Sequence, residues 1–285
     1  MRTKSISKNF TSGSIPKQLL IFMLPFMASN ALQVLYSTID MIIVGEYVGT
    51  PGLSAVSQSS QILNFATMVC FGFSNGGQVL ISQALGAGKR KEMSQIIGTL
   101  FSLISIFAIA LSVVFIAAKG WILDIMNIPA ESYAYAEDYL IICGAGLFFT
   151  AGYNMVSAVL RGMGDSKRPF LFICIASGVN LVLDILFTGI FKWEVAGAAW
   201  ATIIGQAVSF LFSLWYLFRH KEEFGFDFSP ESFKINKHYT KMIVPGYPHG
   251  DPIRLHQSVH ALRQLFGQRC GCRRIGNLWR RYPYR

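Results

Sequence analysis

The chain has 285 residues, 52% hydrophobic and 14% charged, with a formal net charge of +10 and a mean hydropathy of +0.43. A soluble domain carries about 25% charged residues, so a soluble globular fold is excluded and a membrane protein is expected. Six apolar runs carry that reading, roughly residues 18–44, 53–85, 93–118, 139–160, 169–191 and 195–218. Each reaches the ~20 residues that span a bilayer as a helix. Strands would need alternation and closure that these runs lack. The fold class expected is therefore an all-α integral membrane protein with six transmembrane helices, residues 15–220. A segment 1–14 precedes it, a linker 221–246 carries the start of a would-be seventh helix, and a tail 247–285 follows.

The first run holds Pro25, which removes a backbone hydrogen bond and sets a bending point. Further along, Gln33, Tyr36 and Asp40 fall on one face at three- and four-residue spacing. A polar face on an apolar helix points inward, to a cavity or to partner helices. For Gln33 and Tyr36 alone an interhelical hydrogen-bond cluster serves as well as a substrate cavity. Asp40 is different. A charge in hydrocarbon costs a few kcal/mol or more, which makes an intramembrane acid a functional-site candidate. After the second run, Leu85-Gly-Ala-Gly-Lys-Arg-Lys91 looks like a phosphate loop, but Gln83 and Arg90 break that pattern and no soluble βαβ unit surrounds it. The fourth run offers Asn154. The loop Leu160-Arg-Gly-Met-Gly-Asp-Ser-Lys-Arg-Pro169 reads as a Gly turn, with Asp165 and Pro169 starting the next helix and its cations as topological anchors. In the fifth run Asn180 and Asp184 lie one turn apart. An amide beside a carboxyl can ligate a cation or hold a protonated acid, and the sixth run adds the Thr202 hydroxyl. Hard cations prefer such oxygen donors. Burial disfavours the charged carboxylate and a nearby cation favours it, the opposed pair a proton- or sodium-driven switch needs.

Lys and Arg set the orientation. Fifteen lie in the N-terminal segment, the even-numbered connections and the stretch after the sixth run, against Lys119 and Lys192 in the intervening loops. The positive-inside rule then puts the N-terminus in the cytoplasm. The outer loops carry Glu46, Asp124, Glu131, Glu137 and Asp138. Cys70, Cys143 and Cys174 sit singly in apolar runs as small hydrophobes. No Ser/His/Asp or Cys/His set lies in the spans, which speaks against an intramembrane enzyme.

The chain changes character after Gly246. Residues 1–246 hold 12 Lys and 5 Arg, whereas residues 247–285 hold 8 Arg, no Lys and one acid, Asp251. Such a basic tail suits anionic lipid or nucleic acid. His256, His260, Cys270 and Cys272 lack the spacing of a zinc site. The preferred explanation is a shifted reading frame, because with synonymous codons chosen freely the stretch from Pro248 can encode an apolar seventh helix.

At these residues the chain resembles the multidrug and toxic compound extrusion (MATE) family, from about Ile15 to Val244. The matching features are Leu35-Tyr-Ser-Thr-Ile-Asp40 followed by Val44-Gly45, Gln83-Ala-Leu-Gly-Ala-Gly-Lys89, Leu160-Arg-Gly-Met-Gly-Asp165, Asn180-Leu-Val-Leu-Asp184 and Gly197-Ala-Ala-Trp-Ala-Thr202. The resemblance implies one six-helix lobe of a twelve-helix antiporter that exports amphipathic or cationic drugs in exchange for H+ or Na+. It implies a coupling-cation site of Asp40, Asn180 and Asp184 with Asn154, Thr202 and Tyr139 beside them, and bending of the first helix at Pro25. No cofactor beyond the coupling ion and no nucleic-acid partner is expected. The bilayer and a small drug are, and a second copy of the chain could stand in for the missing lobe. The expected location is the bacterial inner membrane. The alternatives are a non-functional membrane fragment and a lipid-linked saccharide flippase, which lines its cavity with Arg, whereas this chain's spans read as free of Arg. DNA sequencing through codon 240 tests the tail: an open shifted frame encoding further apolar helices is expected, and its absence would make the Arg-rich tail genuine.

Overall fold

The computed structural model describes residues 15–220, 233 and 235–243. The segment 1–14, most of the linker 221–246 and the tail 247–285, with its proposed frame shift and its His256, His260, Cys270 and Cys272, lie outside the described residues. Long apolar stretches must satisfy their own backbone in lipid, and they do so as helices. These are α1 (Ile15–Tyr47), α2 (Thr50–Gly86), α3 (Arg90–Ala117), α4 (Lys119–Ile125), α5 (Ala130–Ala145), α6 (Leu147–Gly162), α7 (Lys167–Asp184) and α8 (Glu194–Arg219). A short helix α9 (Lys237–Ile243) follows, and among the described residues there is no strand.

Four of these helices are long and apolar enough to cross a membrane: α1, α3, α7 with its continuation, and α8. The α5–α6 pair makes a fifth if it counts as one span, with a bend of 46° at the break. The fourth run is thus broken, and its helix begins at Ala130 instead of near residue 139, because Glu131, Glu137 and Asp138 extend it beyond the apolar zone. The break falls at Gly146, where a Cβ would come within 2.4 Å of the Ile203 side chain. Close approach of α8 therefore requires glycine there. The second run is helical over 37 residues, and its Ser, Gln and Asn content leaves it outside the set defined by hydropathy.

The central element is α6, in which Ala151 to Gly162 are all buried. A helix surrounded on every side belongs to the core of a bundle. Its Met155, Val156, Val159 and Leu160 pack with Ile81 of α2, Ile97, Leu100 and Ile104 of α3, and Phe210 and Leu217 of α8. Outward-facing apolar side chains such as Ile109 and Val113 of α3, Val182 of α7 and Trp215 of α8 stay exposed, as lipid contact demands. Helix α1 lies against α7 and α2, and among its described side chains the buried ones are Asp40 and Val44, both in its C-terminal half.

Turn chemistry follows the local sequence. Between α6 and α7, Asp165 accepts hydrogen bonds from the backbone N–H groups of Lys167 (3.2 Å) and Arg168 (3.3 Å) and pairs with the Arg168 side chain, so it starts α7 as expected. The phosphate-loop look-alike is an ordinary interhelical turn. The Lys89 N–H is spent on Ala84 O at 2.9 Å, and its ammonium pairs with Glu92 at 2.9 Å. Past α8, the Phe233 carbonyl accepts from Ser102 Oγ (2.7 Å), and Ile243 of α9 is fully buried.

Gly205 of α8 holds the α7–α8 seam. A Cβ there would lie 3.1 Å from Ala176 O and 3.2 Å from Asn180 Cβ. Gly205→Val should therefore separate α7 from α8 and lower stability by about 1–3 kcal/mol, the usual cost of overpacking. Thermal unfolding in detergent measures it, and an unchanged melting temperature would contradict the tight seam.

Candidate functional site

The two acids of the sequence reading meet. Asp40 comes from the C-terminal half of α1, and Asp184 is the last residue of α7; they are 5% and 1% exposed. Their carboxyls lie close enough to interact with each other electrostatically. No protein donor among the described residues reaches Asp40 Oδ1 or either oxygen of Asp184, and no described Lys or Arg forms an ion pair with them. Two neighbouring carboxylates repel when both are ionised, and burial in an apolar bundle strengthens the repulsion. A proton shared between them, or a cation held by both, relieves it.

Beside the pair lie further oxygen-bearing groups. Tyr139 of α5 is buried, electrostatically coupled to Asp40 and Cys143, and its hydroxyl accepts a hydrogen bond from Ser60 Oγ at 3.4 Å. Asn180 sits one turn before Asp184 on α7, 4% exposed, with its Nδ2 unpartnered. It lines a small cavity of about 10 Å3 together with Tyr36, Ser177, Thr202 and Gln206. That is near the least volume that holds a single water. Ser177 Oγ, Thr202 Oγ1 and Gln206 Oε1 are buried around it without a partner. The Gln206 amide Nε2 donates to Tyr36 OH at 3.2 Å and ties α8 to α1. Among the described residues, no group of three or more His, Cys, Asp or Glu could hold a metal. The donors are carboxylate, amide and hydroxyl oxygens, a set suited to a proton or a hard monovalent cation.

Asp40, Asp184 and Tyr139 are therefore brought together, and Asn180, Thr202 and Tyr36 share the adjoining cavity. Asn154 is buried on α6 without a hydrogen bond to any of these groups, and Gln33 is half-buried on α1. Pro25 stands fifteen residues before Asp40, about 22 Å along the helix. Helix α1 continues through it, with Ser29 Oγ donating to Pro25 O at 2.8 Å.

Two features escaped the sequence reading. Gln206 lies four residues after Thr202, on the same face, so its signal was present. The second is a π-helical turn, Ile185–Ile190, that starts right after Asp184. Its Thr188 Oγ1 donates to Glu194 O at 3.3 Å, at the start of α8. Such turns are rare and cluster at functional sites. Here it widens the backbone beside the acid and shifts the phase of the side chains that follow. One reading needs correction: Arg161, taken as a loop anchor outside Arg-free spans, is only 9% exposed at the end of α6. Its stem lies in the helix that the whole bundle surrounds.

The family model MatE matches residues 25–186. A probable multidrug resistance protein of Bacillus subtilis (strain 168), YpnP, is 36% identical over 213 residues, which are 75% of this chain and 48% of that protein. A solved MATE in the straight conformation superposes with a TM-score of 0.80 at 25% identity, over 93% of this chain and 57% of that one. A solved outward-facing multidrug resistance MATE transporter gives 0.77 at 25% identity, over 85% and 53%. The chain spans about half the length of the curated relatives it matches.

Removing one carboxyl should stabilise the protein where both are ionised. Asp184→Asn is expected to melt higher than wild type at alkaline pH, by a few degrees or about 1–3 kcal/mol, and the gain should shrink on acidification as the wild-type pair takes up protons. Thermal unfolding in detergent across pH measures this; a pH-independent difference would contradict the interaction of the two carboxyls.

Proposed function

The chain belongs to the MatE family, and on that premise we propose that it forms the N-terminal lobe of a secondary transporter that exports amphipathic or cationic drugs in exchange for H+ or Na+. The burial of two neighbouring acids, Asp40 and Asp184, with no ion-pair partner among the described residues carries this reading. When the site faces outward, a proton or sodium ion bridges the acids, with the Asn180 amide oxygen and the Thr202 hydroxyl as further ligands and Tyr139 and Asn154 at the edge. Binding draws α1 towards α7. Release lets α1 straighten, and Pro25, which breaks the backbone ladder, localises the bend. Gln33 and Tyr36 lie on the face of α1 that would meet the drug, so the bend couples the ion to the drug cavity. The family consists of transporters and not enzymes, and the lobe needs no cofactor beyond the coupling ion.

The fifteen-to-two Lys and Arg asymmetry supports a cytoplasmic N-terminus in a bacterial inner membrane. A second lobe must complete the drug cavity, supplied by the same polypeptide or by another copy. The flippase alternative gains one buried Arg, but Arg161 lies seven residues, about 10 Å, along α6 from Asn154. The acid-lined site suits cations better than phosphates.

Asp40→Asn, made in a chain carrying both lobes, should abolish ethidium export from loaded cells while membrane insertion stays normal. Undiminished export by that variant would refute the role of Asp40.

A further inference from the structure

Buried arginines are normally paired, because an isolated charge in an apolar interior costs several kcal/mol. Arg161 is an exception. At 9% exposure it has no carboxylate within 4 Å among the described residues. Its Nε donates to Gln78 Oε1 of α2 at 3.1 Å, and its Nη2 has no partner. What it has instead is aromatic faces. The guanidinium carbon lies 5.2 Å from the ring centre of Phe26 on α1 and 6.0 Å from that of Phe71 on α2, within the range of cation–π attraction.

The position of Phe26 gives the contact its meaning. It directly follows Pro25, the residue whose missing N–H weakens α1. Among the described residues, the first α1 side chain packed against the main hydrophobic core is Leu32, and the buried pair Asp40 and Val44 comes later still. Before Leu32 the helix presents Leu20, Met23, Leu24 and Met27 outward, each at least 46% exposed. The N-terminal half of α1 thus stands outside that core among the described residues, and a cation from the most buried helix of the bundle meets it at the residue after the proline.

We propose that Arg161 is a positioning residue and that its contact with Phe26 is a latch, holding the N-terminal half of α1 against α2 and α6 in this conformation and opening when α1 bends at Pro25. The bending rests on the function proposed above; the latch rests on the contact. A cation–π hold fits a contact that must break in every cycle. Breaking a buried ion pair costs about 3–5 kcal/mol, whereas a cation–π contact contributes about 0.5–2 kcal/mol. The unpartnered Nη2 lowers the cost of release further, since it gains water or a new acceptor when the latch opens.

Hydrogen-exchange mass spectrometry of the purified chain in lipid nanodiscs, following α1 around Pro25, tests this. Phe26→Leu keeps an apolar side chain but removes the ring face, and Arg161→Gln removes the cation. Each should speed exchange in residues 20–30 by roughly two- to thirtyfold, the span of cation–π contacts from exposed to desolvated. The double variant should be no faster than either alone, since the two residues share one interaction. Phe26→Trp, with the stronger ring face, should slow exchange, which a purely space-filling role would not do. Additive effects of Phe26→Leu and Arg161→Gln, or faster exchange in Phe26→Trp, would overturn the latch. A Pro25→Ala background separates the two ideas. If the bend is real, restoring the backbone bond should blunt the response to Phe26→Leu. If the response is unchanged while the Phe26–Arg161 coupling persists, the latch stands and the bending reading fails.

Discussion

Two buried carboxyls from different helices, side by side inside an apolar bundle with no basic partner among the described residues, set the terms for everything around them. If both were charged, Asp40 and Asp184 would repel across an apolar interior, and a shared proton or a cation between them relieves that repulsion. Among the described residues no cation neutralises the pair. Tyr139, Asn180 and Thr202 lie nearby, polar groups able to orient or ligate without cancelling charge. A site built for stability alone would have gained more from two apolar residues of the same volume. An acid pair that must take up and give back an ion is a better account of the retained cost.

The helices divide their work accordingly. The bundle of α2, α3, α6 and α8 is packed to zero exposure at many positions and gives a rigid frame. The α7–α8 seam at Gly205 and the π-helical turn after Asp184 aim one acid from that frame. Helix α1 brings the other acid and is the least buried of the long helices. It is anchored near Asp40 and Val44 and held at Phe26 by Arg161. In the proposed cycle, moving α1 against this frame requires the ion to bind one arrangement more tightly than the other, which a site with ligands from both α1 and α7 would allow.

Much of this was legible in the chain. Asp40 and Asp184 stood out because carboxylates inside apolar runs are rare, Asn180 because it lies one turn before Asp184, and Thr202 because it is an oxygen donor inside an apolar run. The helical fold followed from run length alone. The rest depended on packing that no single run encodes. The break at Gly146 reflects Ile203 arriving from another helix, so a Gly-Ala-Gly sequence could not announce it. The π-helical turn has an ordinary apolar sequence, Ile-Leu-Phe-Thr-Gly-Ile. Arg161 looked like a loop cation because it borders a Gly turn, and only the surrounding helices show that its guanidinium points into aromatic faces.

The most direct measurement is the distance between spin labels at Leu24 of α1 and Phe212 of α8, both exposed, read by electron–electron double resonance in liposomes. The central claim is that ion occupancy of the Asp40–Asp184 pair moves α1. A shift in that distance on acidification or on adding Na+, absent in Asp184→Asn, is the predicted result. A distance that never changes, or one that still shifts in Asp184→Asn, would contradict it.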